Sequence, residues 1–254
     1  MKLTVVGCAP AYSTKPDRSS SCYLVEHGDT AIILDMGQGS FSELWRYKSP
    51  AKVAAVVISH MHADHNVDLI PLRYWTRYGN RGYGPALFGP TDLRGRFADF
   101  QMSYGEPTQT KDFFADLKGG VLKEGSFAVG DLRIEARHVT HIADSFAFRV
   151  TAGDGSGPGL VYSGDCGKPD DLLPLVKPGD LLLCEAGFGV VRDAPGIHLT
   201  AGEAASVAKR GAAGRLILTH VHDRADAGPL MKAARGEFDG EIRVAEPGMK
   251  LDIS

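Results

Sequence analysis

Apolar runs alternate with glycine-rich and polar punctuation along the chain, predicting many strands with helices interspersed. Residues 2–6 read as a first strand, and 11–21, with Pro16 and a serine run, as a loop. Residues 22–27 and 30–35 read as the arms of a hairpin turning at Gly28-Asp29. An amphipathic segment follows over 40–47, then an apolar run over 52–58 that suits a buried strand. Next come a helix starting at Asn66 and running to Tyr78, a glycine-rich turn over 79–84, a short strand over 86–90 and a helix capped by Thr91. Helix is also expected over 97–118. The second half predicts a hairpin over 127–136, strands over 145–150, 160–163, 180–184 and 215–219, and a glycine-rich turn over 153–159. It also predicts helices over 170–176, 200–211 and 226–235, and final strands over 241–246 and 250–253. Thr200 followed three residues later by Glu203 is a capping box. No composition break or short repeat divides the chain, so residues 1–254 are expected to be one domain.

The polar positions are as patterned as the apolar ones. The strand over 52–58 runs into Ser59-His60-Met61-His62-Ala63-Asp64-His65, and other strands end at His141, Asp165, Glu185 and His220. Imidazole and carboxylate in such density suit zinc and its neighbours. His60 and His62 flank one residue, so an extended chain points both the same way. Asp64 and His65 lie past the turn, where they can serve a second metal. Two packed sheets with helices outside would bring these strand ends to one rim.

Composition narrows the function classes. The chain has 254 residues, 43% of them hydrophobic, and a net charge of -3 from 28 basic and 31 acidic residues. That balance gives no overall basic footprint for nucleic acid, and the local group Arg73, Arg77 and Arg81 reads as a solvated helix face. Cys8, Cys22, Cys166 and Cys184 form no Cys-x-x-Cys pair and no disulfide framework. The first residues carry no secretory leader pattern, and no stretch reaches the length of a membrane span. A soluble cytoplasmic protein is expected, with a small molecule as partner and no membrane or nucleic acid; a homodimer is compatible with the chain.

His60-Met61-His62-Ala63-Asp64-His65, followed in order by His141, Gly164-Asp165 and Thr219-His220, resembles the metallo-β-lactamase superfamily over nearly the whole chain. The resemblance implies an α/β fold, the αβ/βα four-layer sandwich, and a dinuclear centre for two divalent ions, zinc or else manganese. His60, His62 and His141 would hold one metal, Asp64, His65 and His220 the other, with Asp165 bridging. His138 competes with His141, but the family pattern puts the ligand just before a short loop and a strand, which selects His141. His27 and His222 are expected to be structural or solvated.

Within the superfamily the chain is most similar to the ribonuclease Z-like phosphodiesterase branch, through Tyr162-Ser163-Gly164-Asp165, Leu182-Leu183-Cys184-Glu185-Ala186 and His198-Leu199-Thr200-Ala201-Gly202-Glu203-Ala204. The likeness makes His198 the residue that assists the leaving oxygen, and Asp64 a ligand that also orients the nucleophile. Two departures stand out. Only residues 142–164 separate His141 from Asp165, where ribonuclease Z carries a tRNA-gripping arm, and Cys166 stands where threonine is commoner. Gly7-Cys8-Ala9, Tyr74-Trp75-Thr76-Arg77-Tyr78, Phe88-Gly89-Pro90-Thr91-Asp92 and Glu237-Phe238-Asp239-Gly240 also look like the atypical bacterial cyclic-nucleotide phosphodiesterases. The expected activity is metal-dependent hydrolysis of a small phosphodiester such as a 3′,5′-cyclic nucleotide. The alternatives are tRNA 3′ endonuclease activity and lactone or thioester hydrolysis on the same fold.

Overall fold

The computed structural model describes residues 1–80, 83–103, 114, 116–192, 194, 196–223 and 225–253. The first sheet contains β1 (Lys2–Gly7), β2 (Cys22–His27), β3 (Thr30–Leu34), β4 (Ala55–Val57), β5 (Ala86–Gly89) and β6 (Gly119–Val121). The second contains β7 (Gly125–Val129), β8 (Leu132–His138), β9 (Phe146–Ala152), β10 (Leu160–Tyr162), β11 (Leu181–Glu185), β12 (Arg215–Thr219) and β13 (Glu241–Val244). The last strand, β14 (Lys250–Asp252), returns to the first sheet beside β1. Each sheet is half antiparallel and half parallel: β3 to β6 run parallel in one, β10 to β13 in the other.

Period-two burial builds the layers. Along β3, Ile32 and Leu34 enter the core between the sheets, together with Phe146, Phe148, Leu181 and Leu183 from the second sheet. The alternate residues Ala31 and Ile33 face outward, beneath α1 (Ser40–Leu44), α3 (Leu69–Tyr74) and α4 (Leu93–Ser103), through Leu44, Leu69, Leu72 and Phe97. The second sheet repeats this with Leu182 and Cys184 facing α5 (Pro169–Leu172), α6 (Ala201–Arg210) and α7 (Ala227–Arg235). The result is the expected four-layer arrangement of two mixed sheets flanked by helices. Among the described residues no helix is long and apolar enough to cross a membrane.

Several local expectations change. The strand expected over 52–58 narrows to β4, with a 3-10 turn at Pro50–Lys52 ahead of it. The helix expected from Asn66 to Tyr78 is three pieces: α2 (Ala63–Asn66), α3, and a π-helical turn at Trp75–Gly79. The break falls at Asp68, whose carboxylate accepts the Phe41 N–H at 2.8 Å and so serves the neighbouring helix α1. Helix α4 begins at Leu93, past the expected Thr91 cap. The helix expected over 97–118 is described only as far as Ser103; 104–113 and 115 lie outside the described residues, as do 81–82 of the expected turn. Arg73 is not solvated: it is buried and pairs with Asp116 at 2.9 Å. Arg81 lies outside the described residues. The capping box at Thr200 and Glu203 is present on both sides.

Candidate metal centre

Strands β3, β4, β10, β11 and β12 deliver their carboxyl ends to one rim, and β8, parallel to β10 through two antiparallel pairings, sends His141 there too. The run after β4 supplies His60 and His62, and the first turn of α2 supplies Asp64 and His65. Asp165 follows β10, and His220 follows β12 in a left-handed conformation at φ 56°. Such a conformation in a non-glycine residue stores strain of the kind found at working sites. Gly164 turns the chain at φ 55°, where a Cβ would lie 2.6 Å from the Phe146 carbonyl, so no side chain fits there.

The predicted ligands meet. His60, His62, His141 and Asp165 form one group that could hold a metal ion, and Asp64, His65 and His220 another. Asp165 stands between them. Its Oδ2 lies 3.7 Å from His60 Nε2 and 3.6 Å from His141 Nε2, while Oδ1 lies 3.3 Å from His65 Nε2 and 3.6 Å from His220 Nε2. His62 Nδ1 and His141 Nε2 are 3.0 Å apart, and His220 Nε2 is 3.1 Å from Asp64 Oδ2.

The donor set fits a cation. His60 Nε2, His65 Nε2 and Asp165 Oδ1 are buried without a hydrogen-bond partner. An unpartnered buried polar atom is costly, and three converging on one space call for a charged ligand. Burial, followed by the neighbouring His65, holds the His60 ring well below its ordinary pKa, and burial lowers His141 to about 4. Both rings are therefore neutral, as ligation requires. Burial opposes a charge on His65, but Asp165 and Asp35 outweigh it and raise that ring. The field that draws a proton to His65 Nε2 also draws a cation there. Burial likewise opposes ionisation of Asp165, yet His220 and His65 hold its carboxyl well below the usual range.

The ring orientations are set by residues behind them, which patterning along the sequence does not reveal. Asp35, left-handed at φ 58° after β3, is fully buried. Its Oδ2 accepts from His65 Nδ1 at 2.7 Å, Tyr162 OH at 2.6 Å and Ser59 Oγ at 2.7 Å. Because Ser59 Oγ donates to Asp35, it accepts from His60 Nδ1 at 3.0 Å. The protons of His60 and His65 are thereby fixed on Nδ1, which leaves each Nε2 lone pair facing the site. His141 is fixed the same way by the Ile197 carbonyl, 2.6 Å from its Nδ1. The signal for Asp35 was its place at the end of an apolar strand.

His198 joins the rim from the segment before α6. Its Nδ1 bonds Glu185 Oε1 at 3.0 Å, and Glu185 is itself held by the N–H groups of Cys166 and Gly187 at 2.9 and 2.8 Å. Burial works against a charged His198, but the bond and charge of Glu185 prevail and raise its pKa. The arrangement leaves Nε2 free of Glu185, on a ring that lines an adjoining cavity. A Cβ on Gly187 would lie 2.9 Å from the His198 ring, so only glycine leaves room for it.

The remaining candidates sort plainly. His138 stands outside the groups and packs its ring, tilted by 32°, against Phe146 at 4.2 Å between centroids. Cys166 is buried, gives its thiol to the Lys168 carbonyl at 3.2 Å and has its pKa pushed up to about 12 by burial, the profile of a packing residue. His27 ends β2, whereas His222 lines the cavity beside His198, a placement its position in the sequence did not signal.

Comparison with known proteins agrees with this geometry. Residues 32–221 match the family described as Beta-lactamase superfamily domain. An uncharacterized protein of Mycobacterium leprae is 36% identical over 258 residues, spanning 100% of this chain and 89% of its own. The probable metallo-hydrolase YhfI of Bacillus subtilis is 31% identical, with 98% of each chain covered. Its crystal structure superposes with a TM-score of 0.82, at 28% identity and 98% coverage of each chain. A ribonuclease Z of Halobacterium salinarum is 27% identical, spanning 100% of this chain and 97% of its own. With its family match, its shared architecture and its clustered His and Asp donors, the chain belongs to the metallo-β-lactamase superfamily, in the ribonuclease Z-like branch, and is a metal-dependent hydrolase.

Proposed function

We propose that the chain is a phosphodiesterase that hydrolyses a small diester, a 3′,5′-cyclic nucleotide, at a centre for two divalent ions, zinc in the first instance. The observation that carries the reading is Asp165, whose two oxygens each face two histidines from different ligand groups. His60, His62 and His141 would hold one ion and Asp64, His65 and His220 the other. Bound there, two ions supply Lewis-acid polarisation of the phosphoryl oxygens and a lowered pKa for attacking water.

The chain's own residues supply the rest. Asp64 accepts a hydrogen bond from the attacking water and orients it, and the proton that this water gives up leaves to solvent. As the new P–O bond forms and the bond to the ribose oxygen breaks, His198 passes a proton from Nε2 to the departing oxygen. Glu185 keeps the His198 ring in place and balances its charge. Substrate size follows from the 142–164 connection, which is β9, a turn and β10. That segment holds no arm for gripping a folded RNA.

His198→Ala is expected to keep its metal and lose roughly 10²–10⁴-fold in turnover of cyclic AMP. The loss should be much smaller on bis-p-nitrophenyl phosphate, whose leaving group needs no proton. Equal losses on both substrates would remove His198 from the leaving-group role. Asp35→Asn is expected to weaken metal binding by roughly 10–100-fold, as for other partners behind a ligand, read by competition with a chelator. Unchanged affinity would show that the Asp35 bonds do not orient the ligands.

Similarity to a ribonuclease Z over the whole chain favours a second reading, 3′ processing of precursor tRNA. One metal-reconstituted preparation, given cyclic nucleotides, precursor tRNA and a lactone panel side by side, separates the readings. Hydrolysis of cyclic AMP to the nucleoside monophosphate, with little effect of moderate salt, supports the proposal. Efficient tRNA cleavage, with the steep salt dependence of a many-phosphate contact and inert cyclic nucleotides, would replace it with the second reading.

A further inference from the structure

The cavity beside His198 has walls that proton transfer does not require. Its volume is about 460 Å³, within the usual range for small ligands. Tyr12, Phe188, Val190, His198, His222 and Asp226 contribute to its lining. The aromatic rings arrive from separate parts of the chain. Tyr12 pairs with His222 at 5.9 Å, and Phe188 meets His198 edge-on at 5.5 Å.

The segments that carry both outer rings are held in place. Phe188 N–H donates to the Leu199 carbonyl at 3.1 Å, and the Gly189 carbonyl accepts from Ala201 N–H at 2.7 Å. Tyr12 is 48% exposed, a large ring the core does not use. Its loop is latched to the segment after His220 by Asp223, which accepts from Ser13 Oγ, Thr14 N–H and Arg18 Nη1, each at 2.7 Å. On the other side, Gln38 Nε2 donates to the Ala11 carbonyl at 2.8 Å. Among the described lining residues there is no lysine or arginine, and Asp226 brings a carboxylate. Arg192, paired with Glu203, lies with Cζ 5.9 Å from the Phe188 ring centroid, and the aromatic wall suits a planar ring.

We infer that this cavity is a nucleobase subsite, with the base lying against Tyr12 and Phe188 and with Asp223 as the positioning residue that holds Tyr12 there. The inference rests on the phosphodiesterase reading and names the part of the substrate that the reading leaves open. Stacking on aromatic rings tolerates any base, so the subsite separates nucleotides from base-free phosphates more than one base from another.

Calorimetric titration of the metal-loaded protein with adenosine 5′-monophosphate and with ribose 5-phosphate isolates the base, since both ligands carry the same phosphate. Adenosine 5′-monophosphate is expected to bind more tightly. Tyr12→Ala should cut that preference roughly tenfold, while Tyr12→Phe keeps it. Asp223→Ala should lower the preference and Asp223→Asn, which still accepts from Ser13 and Thr14, should restore most of it. For cyclic AMP, Tyr12→Ala should act on KM more than on kcat. Equal binding of the two ligands by the unaltered protein would overturn the subsite. So would a preference that stays within twofold in both Tyr12→Ala and Phe188→Ala. A Tyr12-dependent preference in a protein that hydrolyses no cyclic nucleotide would support the subsite and overturn the substrate reading alone.

Discussion

Asp165→Ala is expected to leave the purified, reconstituted protein well below the two metal ions per chain expected of the unaltered one, and to cut phosphodiester turnover by roughly 10³-fold or more. That exceeds the 10–100-fold typical of a partner standing behind a ligand, because Asp165 faces both ligand groups at once. One oxygen lies within 3.7 Å of His60 and His141 nitrogens, the other within 3.6 Å of those of His65 and His220. Removing it takes away the carboxylate that faces both groups and leaves Asp64, within the second group, as the anionic donor among the candidate ligands. Asp165→Asn separates charge from shape: it keeps the volume and one carbonyl oxygen but cannot present an anionic oxygen to each side. Metal analysis after gel filtration, beside a rate measurement, reads the result. Full metal content and near-normal turnover in Asp165→Ala would remove it from the centre, and a firm stoichiometry of one in the fully active unaltered protein would end the dinuclear scheme.

The largest effect on stability is expected from Asp180→Ala, at about 3–5 kcal/mol. Asp180 is fully buried before β11 and holds four donors. Arg149, in β9, donates through Nε at 2.8 Å and Nη2 at 2.9 Å, and the N–H groups of Gly159 and Lys177 donate at 2.7 and 2.9 Å. The variant strands a largely buried guanidinium and frees two backbone donors at the turn that sets β10 beside β11. For a chain of this size the loss corresponds to roughly 10 °C in Tm, read by thermal or urea unfolding. Pairing Arg149→Met with Asp180→Ala should recover part of the loss, because the uncompensated charge is then gone. A shift of only a degree or two in Asp180→Ala would show that water replaces the carboxylate without cost.

Much of the site was legible in the chain itself. Three histidines and an aspartate crowd the end of one apolar run, and further His and Asp residues close other runs. Since side chains alternate along a strand and parallel strands end together, ordered donors at strand ends imply a common rim. The capping box before α6 was equally local, being contained within four residues. Helix breaks were less legible. At the interruption at Asp68 a local signal, Pro71, which has no N–H for the Val67 carbonyl, is joined by a bond to Phe41, 27 residues earlier, that local propensity does not encode. Arg73 reads as a solvated cation because its partner Asp116 lies 43 residues away.

The sequence by itself determined that apolar strands with helices between them end in His and Asp donors, because residue type at short-range periods carries that much; the four-layer order and the choice of His141 over His138 came from the family resemblance. Only the tertiary structure decided how those donors are aimed. Asp35, Ser59 and Tyr162 come from three different strand ends, and their hydrogen bonds fix which nitrogen of His60 and His65 carries the proton. Glu185 acquires its work only when the turn after β11 brings it against His198. Tyr12, Phe188 and His222 are unremarkable along the chain and become one cavity wall only after folding. Hydrogen-bond direction and pocket shape depend on contacts between residues far apart in sequence, so they exist only once the two sheets have closed on each other.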